Sequence, residues 1–291
     1  MRITETRMLH LMGGRTMETQ SSIAKAATKV STGVAVNRPS DDPMRWADGM
    51  RTKLSMDRRD AHESTVERAR DNLTRTDVAL SDMIDGLSRI RELAILGASD
   101  SYDAQGRTAA ATEIAELFEG MIASANAQSV EGEFLLGGSE SDTPPFDPAG
   151  VYQGNDVARE IEVGDNLYKQ ASVPGSLLTA ASGLDIFGTI SSVQGALAAD
   201  DALATRALLD DLVLAVDQLS YARTEAGVAS SSLEQSLGTL SDLELSLAES
   251  LETSVGADPI EAATLLANLG NQLEASRLVS ERIISMMALQ G

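Results

Sequence analysis

Cysteine is absent from the 291 residues, which removes disulfide frameworks, thiolate nucleophiles and thiolate-held zinc together. Histidine is nearly absent: His10 and His62 are too few for a His-rich metal site, and both read as surface helical residues. One Trp, four Tyr and four Phe leave any core to aliphatic side chains. Basic charge is short as well, since 23 Lys and Arg face 44 Asp and Glu for a net charge of -21. The shortage is uneven, +4 over residues 1–75 and -25 over residues 76–291. A mildly basic arm without aromatic interleaving or a basic cluster is no nucleic-acid footprint, and the acidic remainder argues against one. Long apolar runs are missing too: Leu212–Val216 and Met286–Leu289 fall far short of the roughly 18 residues a membrane span needs. No apolar segment follows Arg2, Glu5 and Arg7, so no cleavable secretory signal is expected.

Catalytic and cofactor chemistry finds no foothold. Gly137-Gly138-Ser139-Glu140-Ser141 lacks the last glycine of a nucleophile elbow and reads as a turn. Gly13-Gly14-Arg15 lacks the Lys-Ser/Thr ending of a phosphate loop. Asp41-Asp42 and Asp200-Asp201 do not offer the alternating oxygens of a calcium loop and suit helix N-termini better. The expectation is a non-enzyme that holds no cofactor and no metal.

What is present is helical spacing. With 43% hydrophobic residues the chain can build a core. Proline is confined to positions 39, 43, 144, 145, 148, 174 and 259, which leaves long stretches free for helices. Leu9, Ile23 and Val30 with Met12 keep a soft seven-residue spacing, and after Pro259 Leu266, Leu273 and Met287 do the same beside Leu269 and Ile283. Firmer seams run through Leu73, Leu80 and Leu87, and through Leu219, Leu233, Leu240 and Leu247. Asp42 before Pro43 and Asp258 before Pro259 read as N-caps followed by proline at the first helical position. Seven of the 11 Met residues lie within the first 56 positions; ordinary core filling and an adaptable contact surface both fit them.

Between the helical halves, residues 137–187 are rich in Gly, Pro, Asp and Ser, and Val157, Arg159, Ile161 and Val163 alternate as in a half-exposed strand. The expected fold is mainly α: a long antiparallel helical rod, coiled-coil-like, with paired terminal helices and a small β-rich inserted domain. The terminal pair is expected at 1–41 and 258–291, the rod at 42–136 and 188–257, and the insertion at 137–187 as an appendage outside the rod.

Several of these stretches are recognisable. Leu9–Met50, with STGVAVNRPSDDPMRWADGM, resembles the N-terminal region of the bacterial flagellin superfamily, and Asn37–Pro43 is similar to its hook-associated protein type 3 branch. Asn126, Gly132–Gly138, Pro145-Phe146 and Tyr152–Asn155 follow the order of that branch's central landmarks, and Arg223–Gly227 and Asp258–Leu289 resemble its C-terminal region. The resemblance implies a structural subunit of the flagellum that joins hook and filament. It implies other copies of the chain, a neighbouring hook-associated protein and flagellin as partners, with an export chaperone at the C-terminal helix. It also implies an extracellular place reached through the flagellar export apparatus. A filament-forming flagellin and a cytoplasmic coiled-coil dimerisation protein are the alternative readings. The resemblance makes Leu9, Met12, Ile23, Val30, Leu266, Leu269, Leu273, Ile283 and Met287 the residues of an inner assembly interface.

Overall fold

The proline-free, Ala- and Leu-rich stretches become helices, because such residues lose little rotamer freedom there and their apolar faces find partners. The computed structural model describes residues 2–288. In chain order it holds α1 (Arg2–Thr32), α2 (Pro43–Gly97), α3 (Ala104–Ala125), β1 (Glu160–Gly164), β2 (Leu167–Gln170), α4 (Ile186–Ala198), α5 (Ala202–Ala207), α6 (Leu209–Val255) and α7 (Pro259–Ala288). The chain is thus mainly α with a small β element, an antiparallel hairpin in which Glu160 opposes Gln170 and Glu162 opposes Tyr168. Two compact units divide it: residues 1–58 with 242–291, and residues 59–241. Asp42 and Asp258 mark helix starts, while the division falls inside α2 and α6.

In the unit of residues 59–241, α2 and α6 run antiparallel, since Arg59 Nε donates to the Leu240 carbonyl at 2.9 Å and Arg223 Nε to Asp77 at 2.7 Å. Leu73, Leu80 and Leu87 of α2 and Leu219, Leu233 and Leu240 of α6 are all buried. The seam stops there: Leu243 is 44% exposed and Leu247 is half-buried. Arg59 is the buried cation of this seam, and its guanidinium forks onto Glu63 at 2.6 and 3.0 Å.

The proline-free stretch after Pro43 is not one helix. α2 stops at Gly97, where a Cβ would lie 2.1 Å from Leu197 Cδ2. The carbonyls of Gly97 and Ser99 accept from Arg107, and that of Ala98 from Arg206. Asp103 then caps α3 through the Gly106 N–H at 2.7 Å. Asp185 and Asp201 cap α4 and α5 in the same way, so Asp201 is a cap, while Asp200 pairs with Arg107. Satisfied helix ends, rather than proline, make these breaks.

The inserted segment is no appendage. Phe146, Val163, Ala171, Val173, Leu178 and Phe187 belong to one buried cluster with the seams of α2 and α6. Phe187 meets Phe118 of α3 edge-on at 5.7 Å and Phe146 at 5.0 Å, and Phe146 meets Tyr152 at 5.1 Å. Asn126, just past α3, donates from Nδ2 to the Phe146 carbonyl and accepts the Phe146 N–H at Oδ1, both at 2.9 Å. The strand also starts later than its alternation suggests: Val157 lies outside β1 and is 57% exposed, whereas Val163 is buried.

Candidate assembly interface

The unit of residues 1–58 and 242–291 is organised by a knot of helix ends. Asp42 Oδ1 accepts the N–H groups of Met44 and Arg45 at 3.0 and 3.1 Å, and Asp258 Oδ1 those of Ile260 and Glu261 at 2.8 and 3.2 Å. Both aspartates therefore act as the N-caps their sequence context predicts. Asp41 Oδ2 holds the incoming loop through the Asn37 and Arg38 N–H groups, and Arg45 Nε donates to the Ser254 carbonyl at 2.7 Å. α1 ends at Gly33, whose φ of 68° is open to glycine at little cost. Val34 then bridges Gly256 antiparallel, with the Ala35 N–H on the Val255 carbonyl and the Ala257 N–H on the Gly33 carbonyl. From this knot α1 and α7 run antiparallel, packed along each other.

Their packing is thin. Ala26 in α1 and Ala262 in α7 are buried, but Ile23, Leu266, Leu269, Leu273 and Ile283 are only half-buried, and Val30 is 42% exposed. The side chains of Leu9, Met12 and Met287 lie outside the described residues. The seam spacing thus faces the partner helix without closing a core, because alanine, serine and threonine dilute it. Beside it runs a row that the seam reading missed: Leu265, Val279 and Met286, seven residues apart with Gln272 between, are 45%, 51% and 53% exposed. Leu278, Ile284, Leu11 and Met17 are exposed as well. The same seven-residue count begun one position earlier would have found it. An apolar row of this kind on a helix pair with a half-covered seam is surface suited to further helices.

Residues 8–141 match the bacterial flagellin N-terminal helical region. Flagellar hook-associated protein 3 of Escherichia coli K12 is 24% identical over 204 residues, 68% of this chain and 61% of that protein. The chain thus spans about three-fifths of that relative. A flagellin of Listeria monocytogenes is 23% identical over 266 residues, 91% of this chain and 87% of the flagellin.

The chain thus resembles a hook-associated protein and flagellins along most of its length.

Its fold is shared with solved structures. A Vibrio parahaemolyticus chain assigned as a flagellar hook-associated protein superposes with a TM-score of 0.68 at 21% identity, covering 74% of this chain and all of the other. The central residues that carried the resemblance in sequence come together in space. Asn126 grips Phe146, the Tyr152 hydroxyl donates to the carbonyls of Leu136 and Asn155, and Asn155 Nδ2 reaches Ser139. Gly175 donates to Leu136, and burial pushes the Tyr152 phenol up to about 12. These landmarks are a packing joint between α3 and the inserted segment.

Proposed function

We propose that this chain is a structural subunit of the bacterial flagellum, one of many copies forming the layer between hook and filament. The observation that carries the reading is the pair α1 and α7, whose seam is half-covered and whose apolar row at Leu265, Val279 and Met286 is uncovered. Packing several copies side by side would cover both, at about 1 kcal/mol or more for each half-wet large side chain that becomes dry. Contacts between different faces of identical copies build a helical tube where the rotation between copies does not close into a ring. The name of the Escherichia coli relative, a hook-associated protein, supports a place at the hook.

On this reading Ile23, Val30, Leu266, Leu269, Leu273 and Ile283 serve contacts between copies. A neighbouring hook-associated protein lies on one side and flagellin on the other. α7 is the segment that an export chaperone would shield before assembly, and the role is mechanical rather than catalytic. The chain works outside the cell and travels there through the flagellar export apparatus.

A second reading, a filament subunit, draws on the Listeria flagellin match across 91% of the chain. Asp42-Pro43 speaks for the junction branch, and immunogold labelling of detached flagella separates the two. A single band of gold between hook and filament is expected; gold along the whole filament would make the chain a flagellin.

A further inference from the structure

The unit of residues 59–241 carries two surface features that its core does not use. The first is a ridge on α6. Leu214, Tyr221 and Val228 are 56%, 56% and 61% exposed, and they recur every seven residues on the side opposite buried Leu212, Ala215, Leu219, Ala222 and Ala226. Asp210 and Asp217, also seven apart and exposed, share that side. The second is a channel along α2. Thr65, Arg68 and Asn72 line a cavity of about 820 Å³ beside the strand-like segment Val157–Ile161. Arg75, Val78 and Asp82 line the next, of about 530 Å³, against Ala123 and Ala127. Between the long side chains, Thr65, Ala69, Thr74, Ala79, Ala123 and Ala127 are small, so there is room for larger ones.

Charge singles out the occupant. With 44 acidic against 23 basic side chains, two copies of this chain repel wherever no cation intervenes, so cations that lack an acidic partner mark where a second copy can approach. Arg75 has no hydrogen-bond or ion-pair partner among the described residues. Arg68 touches the carbonyl of Ser64 at 3.3 Å and no carboxylate among them. Arg159, by contrast, is spent on Glu133. Glu131, Glu160 and Asp82 stand on the channel's rims, which confines an acidic visitor to the line of the two arginines. Arg68 and Arg75 are seven residues apart, as are Asp210 and Asp217, about 10.5 Å on either helix. One ridge offers apolar knobs and carboxylates at the period at which the channel offers gaps and guanidiniums.

We propose that the α6 ridge of one copy seats in the α2 channel of a second copy, with Asp210 and Asp217 facing Arg68 and Arg75. The contact joins two different faces, so it propagates from copy to copy, and it rests on the assembly role argued above while adding a second interface outside the terminal helices. The absence of cysteine makes the test clean. Full chains carrying Asp82→Cys in the channel and Thr224→Cys beside the ridge, one seven-residue step of the same register beyond Arg75 and Asp217, are co-expressed in cells lacking the native protein, and isolated flagella are oxidised. A disulfide-linked dimer of the two variants is expected, well above that formed when Ser192→Cys on α4 replaces Thr224→Cys. Adding Asp217→Arg to the ridge variant should lower the yield by about tenfold, and adding Arg75→Asp to the channel variant should restore it. Chains present in the flagella without preferential linkage of positions 82 and 224 would overturn the ridge-and-channel contact alone. Chains absent from the flagella would overturn the assembly role and this contact with it.

Discussion

Gly97 occupies a seam position of α2, yet no side chain fits there: a Cβ would lie 2.1 Å from Leu197 Cδ2. Gly97→Ala is therefore expected to destabilise the unit by about 1 to 3 kcal/mol through overpacking. Gly227, inside α6 with nothing within 4 Å of its Cβ position, should behave oppositely, and Gly227→Ala should stabilise by up to about 1 kcal/mol. Thermal melts of the two variants that shift in the same direction would contradict this. Tyr152 gives a pH test. Burial raises its phenol to about 12, above its ordinary value of 10, so the folded state holds the proton more tightly than the unfolded chain. Its contribution is fully present below pH 10 and is lost as pH rises through about 12. Tyr152→Phe should flatten the fall in stability across that window, and parallel curves for both proteins would place the phenol in water. The sequence made Asn126, Phe146 and Tyr152 recognisable, but not their purpose, because hydrogen bonds such as Asn126 to Phe146 join residues 20 apart in irregular backbone, where no period exists to read.

Helices were legible where a seven-residue period had a partner. α2 and α6 carry their seam leucines into a common core through Leu240, and the period continues in sequence to Leu247 after the burial has ended. Period alone cannot report where a partner stops. Leu240→Ala should thus cost about 2 to 5 kcal/mol, and Leu247→Ala clearly less; equal losses in denaturant melts would mean that the seam extends further than α6 shows. Composition misled at the inserted segment, where Gly, Pro and Asp suggest an exposed appendage. Those residues shape tight turns, such as Gly150 with φ 83° against Phe187, that bring Phe146, Val173 and Leu178 into the core. Replacing residues 138–187 with a short Gly-Ser linker should therefore abolish cooperative melting of the unit, since Phe118 and the inner faces of α2 and α6 would lose their cover. A shortened protein that kept a single sharp transition would return the segment to the status of an appendage.

The chain as a whole divides its apolar residues unequally. Residues 59–241 bury their seams completely along α2 and α6 as far as Leu240, whereas α1 and α7 leave Ile23, Leu266, Leu273 and Ile283 half-covered and Leu265, Val279 and Met286 exposed. The sequence showed this contrast as soft and firm seams, because alanine and serine in place of leucine reduce the area a helix pair can bury. It did not show the limits of the units, since Asp42 and Asp258 cap helices without dividing cores. Local opening is cheap where few apolar contacts must break, so protection of the backbone, rather than helix content, distinguishes α1 and α7 from the buried seams of α2 and α6. Hydrogen exchange of full-length free chain and of isolated flagella, read by mass spectrometry, tests it. Peptides from α1 and α7 should exchange rapidly in the free chain and become protected in flagella, while residues 66–94 of α2 and 212–240 of α6 should be protected in both. Terminal helices as protected in the free chain as in flagella would contradict it, for they would then belong to the single molecule and not to its assembly.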